Sequence, residues 1–349
     1  MATIAAKPMP IAQLMETPHP KRDLAWIEAG LQSAIALELA TLPPYLCGMW
    51  SIKTEDSEAE RLITNIVHDE MFHMGMVCNM MSAIGGTPYI IAAAPMYPGK
   101  LPGNVRPQID VYLQGLTQQY VRDVFMEIEM PENPLAPLYE EWVTIGKFYD
   151  ALREAFKTVN PAIVAGHQLA KQIGDNMLPV FSNVADIVKA IDVIKEQGEG
   201  TGHGPEDPTL PKDGKGLGPL AHYYSFGEIW KGRRLAPSPT GPMPFDWIGE
   251  PVPFPETRPM GRLKTERWPD PSANVQKLLN AFNEKYTEML GHLEQAWHNG
   301  DDAALGRSVG AMFGLKSRAH ALMNEPLPGD DSHRYGPEFL IRFPGDDQG

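Results

Sequence analysis

An all-α helical bundle is the fold the sequence predicts, and three observations predict it. Apolar residues recur at three-four spacing over long stretches, and no convincing run alternates as strands would. The first two helical stretches are joined by a short turn. A Pro- and Gly-rich connection from about 87 to 107 follows the second, and one long crossover of this kind belongs to a known type of four-helix bundle. The third observation is chemical: in both stretches a carboxylate takes a place in the apolar stripe where a core residue is expected.

The first helix is expected to start after Asp23, a good N-cap, and to run towards Pro43-Pro44. Its stripe reads Leu24, Ile27, Leu31, Ile35, Glu38, Leu42. The second starts near Ser57, follows Ile63, Ile66, Glu70, His73, Val77, Met80 and Ile84, and stops at Gly85-Gly86. Further helices are expected near Tyr112–Met130, Trp142–Phe156, Val180–Gln197 and Leu220–Gly232. The stretches Glu199–Gly218 and Arg234–Pro271 read as loops. The Trp, Phe and Met residues of the second make it an ordered loop packed on the helices. Two amphipathic helices, about Ala273–Trp297 and Asp302–Met323, close the fold, and the acidic tail after Gly329 is expected to be mobile.

Composition narrows the function classes. The 349 residues are 43% hydrophobic and 21% charged, as in a globular protein. A net charge of −14 without a Lys/Arg cluster speaks against nucleic acid and against anionic lipid. The N-terminus has prolines and a glutamate where a signal peptide needs an apolar core, and the longest apolar stretch, around Tyr89–Met96, is too short to span a bilayer. Cys47 and Cys78 stand alone and read as buried thiols of a reducing compartment. A cytoplasmic protein is expected.

Glu70 and His73, three residues apart, project from one helix face to one point. Di-iron and di-manganese bundles take a Glu from each of two helices and Glu-x-x-His from each of the other two. An unpaired carboxylate in an apolar core line is costly, so it needs a cation, a hydrogen-bond network or a proton. Glu38 adds a second one at matching depth: it lies 16 residues before Thr54 in the turn, and Glu70 lies 16 after it. Spacing alone leaves the second half of the site open. Candidates are Glu127 and Glu129, Glu196 and Glu199, and His222 with Glu228, since His222 shares an apolar face with Phe226 and Ile229. Glu288 with His292 and Glu294 with His298 sit in a polar helix and read as solvated.

Leu37-Glu38-Leu39-Ala40-Thr41-Leu42-Pro43-Pro44-Tyr45-Leu46, Val67-His68-Asp69-Glu70-Met71-Phe72-His73-Met74, Asn79 and Ala83-Ile84-Gly85-Gly86 form one linked pattern. Ile128-Glu129-Met130-Pro131, Thr144-Ile145-Gly146-Lys147-Phe148-Tyr149, Gln197-Gly198-Glu199-Gly200 and His222-Tyr223 extend it. The pattern resembles the ferritin-like domain family that includes the iminophenylpyruvate dimer synthases of violacein and rebeccamycin biosynthesis, over roughly residues 22 to 235. The resemblance implies a ferritin-like four-helix bundle over 22–235, with additional helices and long ordered loops. Beyond it, 236–270 is expected as a proline-rich loop on the bundle and 271–325 as a helical pair of the same domain. It also implies metal ligands at Glu38, Glu70 and His73, with Glu199 and His222 as the other half. Family members often carry an acidic residue where this chain has Lys147, a lysine that could take the place of a carboxylate or salt-bridge one.

The expected function is a non-haem oxidoreductase with two iron ions, manganese being the alternative metal. Carboxylate and imidazole donors suit these metals, and no cysteine cluster points to structural zinc or iron–sulfur. Glu38 would be a terminal ligand and Glu70 a bridge. His73 would hold one metal, and Glu199 with His222 the other. The partners expected are a small organic substrate and dioxygen or peroxide, with a homo-oligomer allowed. Tyr45, Tyr149, Tyr223 and Tyr224 are candidates to line the pocket or relay an electron. The competing readings are a non-catalytic iron-sequestering protein and a helical scaffold without metal.

Overall fold

The structure is a computed structural model that describes residues 8–131, 144–200, 204–206, 219–239, 241, 244–343 and 345–346, without the Glu199 side chain. A short helix, α1 (Ile11–Met15), precedes the bundle and buries Ile11 and Leu14. Asp23 then caps α2 (Leu24–Ser51), its side chain accepting from the Trp26 N–H. The helix does not end at Pro43-Pro44 as its sequence suggests but continues for two more turns. An interior proline ordinarily costs about 3 kcal/mol and strands the carbonyl four residues back. For Pro44 that carbonyl belongs to Ala40, and the buried Tyr97 hydroxyl donates to it at 2.6 Å. α2 is also buried on nearly every side, so packing outweighs the local defect.

Ser57 caps α3 (Glu58–Ala83), and the turn between Ser51 and Glu58 folds it back beside α2. The long connection that follows is ordered. Ile90, Tyr97, Leu101 and Val105 are buried, and Gln32 clasps the Tyr89 backbone at both its N–H and its carbonyl. The third bundle helix is composite: α4 (Gln118–Tyr120), a π-helical turn over Val121–Phe125, and α5 (Met126–Ile128). Then come α6 (Ile145–Val159), capped by Thr144, α7 (Val184–Glu199) and α8 (His222–Lys231). The expected start of α6 at Trp142 lies outside the described residues, as does most of the loop expected over Glu199–Gly218. Among the described residues, strands occur only as three antiparallel hairpins: β1–β2 (Gln172–Ile173, Asn176–Met177), β3–β4 (Ala236–Pro237, Phe245–Asp246) and β5–β6 (Pro326–Leu327, Asp330–Arg334).

α9 (Ala273–Asn299) and α10 (Asp302–Leu322) pair with each other and share the apolar core with α2 and α3. The Arg234–Pro271 stretch buries Leu235, Val252, Met260, Leu263 and Trp268. The tail after Gly329 differs from the expected mobile segment. Phe339 stacks on Trp50 at 6.0 Å, and buried Glu338 accepts from the Trp268 N–H at 2.9 Å and the Asn283 amide at 3.0 Å. Glu294 and His298, expected to be solvated, instead bind the crossover. Glu294 accepts from the Ile91 N–H at 2.9 Å, and His298 Nε2 sits 2.7 Å from the Pro88 carbonyl.

Behind the chemistry, the fully buried Phe226 ring packs at 5.0 Å from both Tyr45 and Phe125. Phe226→Ala is expected to cost about 3–5 kcal/mol of stability by cavity formation, measured by denaturant unfolding. A loss below about 1 kcal/mol would mean that this cluster does not anchor α8. No helix among the described residues is long and apolar enough to cross a membrane.

Candidate metal centre

Glu38 leaves α2, Glu70 and His73 leave α3 one turn apart, Glu129 follows the last residue of α5, and His222 opens α8. All five side chains are buried, at 2–6% exposure. They form two overlapping groups, Glu38–Glu70–His73 and Glu70–Glu129–His222, in each of which one donor atom per residue lies within 4.8 Å of the others. Glu70 belongs to both.

His73 Nδ1 lies 3.6 Å from Glu38 Oε2 and 3.8 Å from Glu70 Oε1. Its Nε2 lies 2.7 Å from Gln197 Oε1, so an Nε2–H donates there and Nδ1 faces the carboxylates. His222 Nδ1 lies 3.0 Å from Glu70 Oε1 and 3.6 Å from Glu129 Oε2, with Nε2 3.5 Å from Asp69 Oδ2. The carboxylates are held from outside the cluster. The Thr41 hydroxyl donates to Glu70 Oε2 at 2.8 Å, the Tyr45 hydroxyl to Glu129 Oε1 at 2.5 Å, and the Tyr149 hydroxyl to Glu38 Oε1.

The electrostatics register the crowding of three carboxylates in a dry site. Burial, and then the Glu129 and Glu38 charges, push Glu70 up to about 7, against the pull of His222. Burial alone would lower His73, but its contact with Glu38 and the Glu70 and Glu38 charges outweigh it and raise the imidazole to about 9. His222 is likewise raised well above its usual range, burial being overcome by Asp69, Glu129 and Glu70. Burial and the adjoining carboxylates raise the Tyr45 and Tyr149 phenols, which therefore stay protonated as donors.

These residues fit a pair of divalent cations on an observation independent of fold. Both ring nitrogens of His222 are buried, and their carboxylate contacts at 3.0–3.6 Å lack hydrogen-bond geometry, an arrangement that an ion or water would complete. A cation between Nδ1, Glu70 and Glu129 would satisfy that nitrogen and offset the carboxylate repulsion. Two oxygens and one nitrogen per subsite suit iron or manganese.

Of the residues expected from sequence, Glu38, Glu70, His73 and His222 converge. The Glu199 side chain lies outside the described residues. Glu129, one of several alternatives in the sequence, stands in the cluster. Glu127 instead pairs with Arg106 at 3.0 Å, and Glu228 accepts from Arg234 and the Leu235 N–H. Glu196, at the end of α7, belongs to neither donor group. Lys147 does not take a carboxylate's place: it is exposed on α6, while Tyr149, two residues on, turns inward. Of the four tyrosines, Tyr45 and Tyr149 touch the cluster, whereas Tyr224 accepts at its carbonyl from Trp247 and Tyr223 packs against the Tyr224 ring.

Sequence reasoning did not single out Gln197. Holding the far nitrogen of a ligating histidine fixes its tautomer, and loss of such a partner typically weakens a metal site 10–100-fold. Gln197→Ala is expected to lower metal affinity at the Glu38–Glu70–His73 subsite by about that factor, read by competitive chelator titration. Unchanged affinity at both subsites would remove Gln197 from the site.

A helical bundle with two carboxylate–histidine clusters sharing one glutamate defines the class of protein. A family model described as Ferritin-like matches residues 31–231, more than half the chain, and the chain belongs to that family. Its fold is similar to the crystal structure of a ferritin-like protein from Caulobacter vibrioides, with a TM-score of 0.63 and 22% identity over 90% of this chain and 98% of that one. No curated protein matches.

Proposed function

We propose that the protein is a non-haem di-iron oxidoreductase, manganese being the alternative metal, that acts on a small organic molecule with dioxygen or peroxide as oxidant. The observation that carries this reading is Glu70, shared by two donor groups that each hold one histidine and one further carboxylate. Glu38, Glu70 and His73 would hold one ion; Glu70, Glu129 and His222 would hold the other. When bound, such a pair supplies electron exchange with dioxygen or peroxide.

The chain's own groups do the rest. Thr41 orients the shared carboxylate, and Gln197 fixes the His73 tautomer. Tyr45 and Tyr149 hold protons on phenolic oxygens against Glu129 and Glu38, where they can take up or release a proton and an electron next to the metals. The coupling of two imine or keto-acid molecules, as in the iminophenylpyruvate dimer synthases, is the narrowest form of the proposal. The linked motifs around Glu38 and Glu70 support it.

A second reading has its own observation. Among the described residues, the cavity beside Glu38, Glu70, His73 and Glu129 measures about 30 Å³, room for about one water molecule. That size suits a protein that binds iron without turning over an organic substrate.

Elemental analysis of protein purified without chelators decides the first question, with about two iron or manganese atoms per chain expected. Oxidant consumption on adding candidate substrates then separates the enzyme from the iron binder. Two metals with no consumption would leave the binder; no metal under any loading would overturn both.

A further inference from the structure

α2 and α3 carry a second cavity on different faces from the metal cluster. It measures about 250 Å³ and lies between these helices, the β1–β2 hairpin and the α9–α10 pair. Leu42, Met71, Met74, Met289, Leu305 and Met312 are among its walls, and it shares no lining residue with the metal site. The cavity opens to solvent past Phe313 and Lys171, so it is an apolar cleft and not a sealed void. An apolar cavity of about 150 Å³ stays dry and takes up benzene; this one is larger and still overwhelmingly apolar, a poor home for water and a good one for hydrocarbon. Its four methionines are unbranched and adapt to the shape of a guest.

Tyr286, Trp297 and Ser308 bring polar atoms on the α9–α10 side, but the basic lining is one-sided. His68, half-buried, and Lys171, exposed, lie at the α3 and β1 side of the cavity, and no carboxylate is among the described residues that line it. In a chain of net charge −14, a basic rim without acids selects for an anionic group. Phe313 of α10, 78% exposed, also lines the cavity and leaves an apolar approach to it.

We propose that this cavity binds a hydrophobic monocarboxylic acid, its apolar body among the methionines and leucines and its carboxylate at His68 and Lys171. The inference stands apart from the metal reading, and its test needs no metal. Calorimetric titration of the full chain with decanoate and with decanol is the experiment. One saturable decanoate site per chain is expected, with decanol weaker. Lys171→Ala should weaken decanoate by about threefold or more and leave decanol unchanged. Val309→Trp, at a half-buried wall position, should fill the cavity and remove binding of both, with Met312→Trp as a second filling variant if the first unfolds. Three outcomes would overturn the proposal: no saturable binding, binding that survives filling of the cavity in a folded variant, or a dimer in sedimentation that Phe313→Ser dissociates. The last would show a second copy covering this face.

Discussion

Glu70→Gln is expected to make the metal-free protein more stable and the metal-loaded protein less so. Without metal, Glu70 is a nearly inaccessible carboxylate between two others, pushed up to about 7 by burial and by Glu129 and Glu38. At pH 8 its ionised form is held against that pressure, at a cost on the order of 3 kcal/mol. A glutamine keeps the shape and still accepts from the Thr41 hydroxyl through its amide oxygen, so the charge goes while the hydrogen bond stays. With metal present the sign reverses, because both donor groups contain Glu70. Ligand at a hundredfold over its dissociation constant stabilises a fold by about 2.7 kcal/mol per site, and the variant should forfeit most of this at both sites. Calorimetric melting with and without ferrous iron measures the two effects. A destabilised apo variant that still gains the wild-type increment from iron would sink the shared-ligand assignment.

Glu38, Glu70 and His73 were readable in the sequence for the reason that makes them matter: polar groups at core positions of two helices, equidistant from one turn. The termini of α9 and α10 were readable too, because Ser272, Gly300 and Asp301 are strong cap residues. Glu129 could be named only among alternatives. The π-helical turn at Val121–Phe125 inserts an extra residue into the third helix and shifts the phase on which any 3.6-residue pattern depends. The motif fixed the place of Lys147 in the chain but not its side of α6, which is exposed. The continuation of α2 past Pro43-Pro44 depended on Tyr97, 57 residues away in sequence from Ala40, a partner that no local rule supplies. The tail after Gly329 was expected to be mobile because Asp330, Asp331, Asp346 and Asp347 make it acidic, and the short run at 335–339 that the fold buries carries little weight beside them.

Raising the pH from 6 to 9 should weaken the apo protein while the metal-loaded protein keeps its stability. In the metal-free fold His73 is raised from 6.5 to about 9. The stability it contributes is fully present below 6.5 and is lost as pH rises through 9. Glu70, raised from 4.5 to about 7, keeps a proton in the fold that the unfolded chain has released. Its contribution is therefore greatest below 4.5 and falls as pH climbs to 7. Both shifts make the native state bind more protons than the unfolded state, so apo stability should decline by roughly 1 kcal/mol per pH unit across this window. Metal competes for the same atoms: it requires the Nδ1 lone pair of His73 and an ionised Glu70, so its binding expels protons and tightens with pH. The gap between loaded and apo melting temperatures should thus widen from pH 6 to pH 9. A gap that is constant or shrinking would mean that bound metal avoids His73 and Glu70. The cluster would then be a buried ion-pair network, with a protonated His73 answering the charges of Glu38 and Glu70.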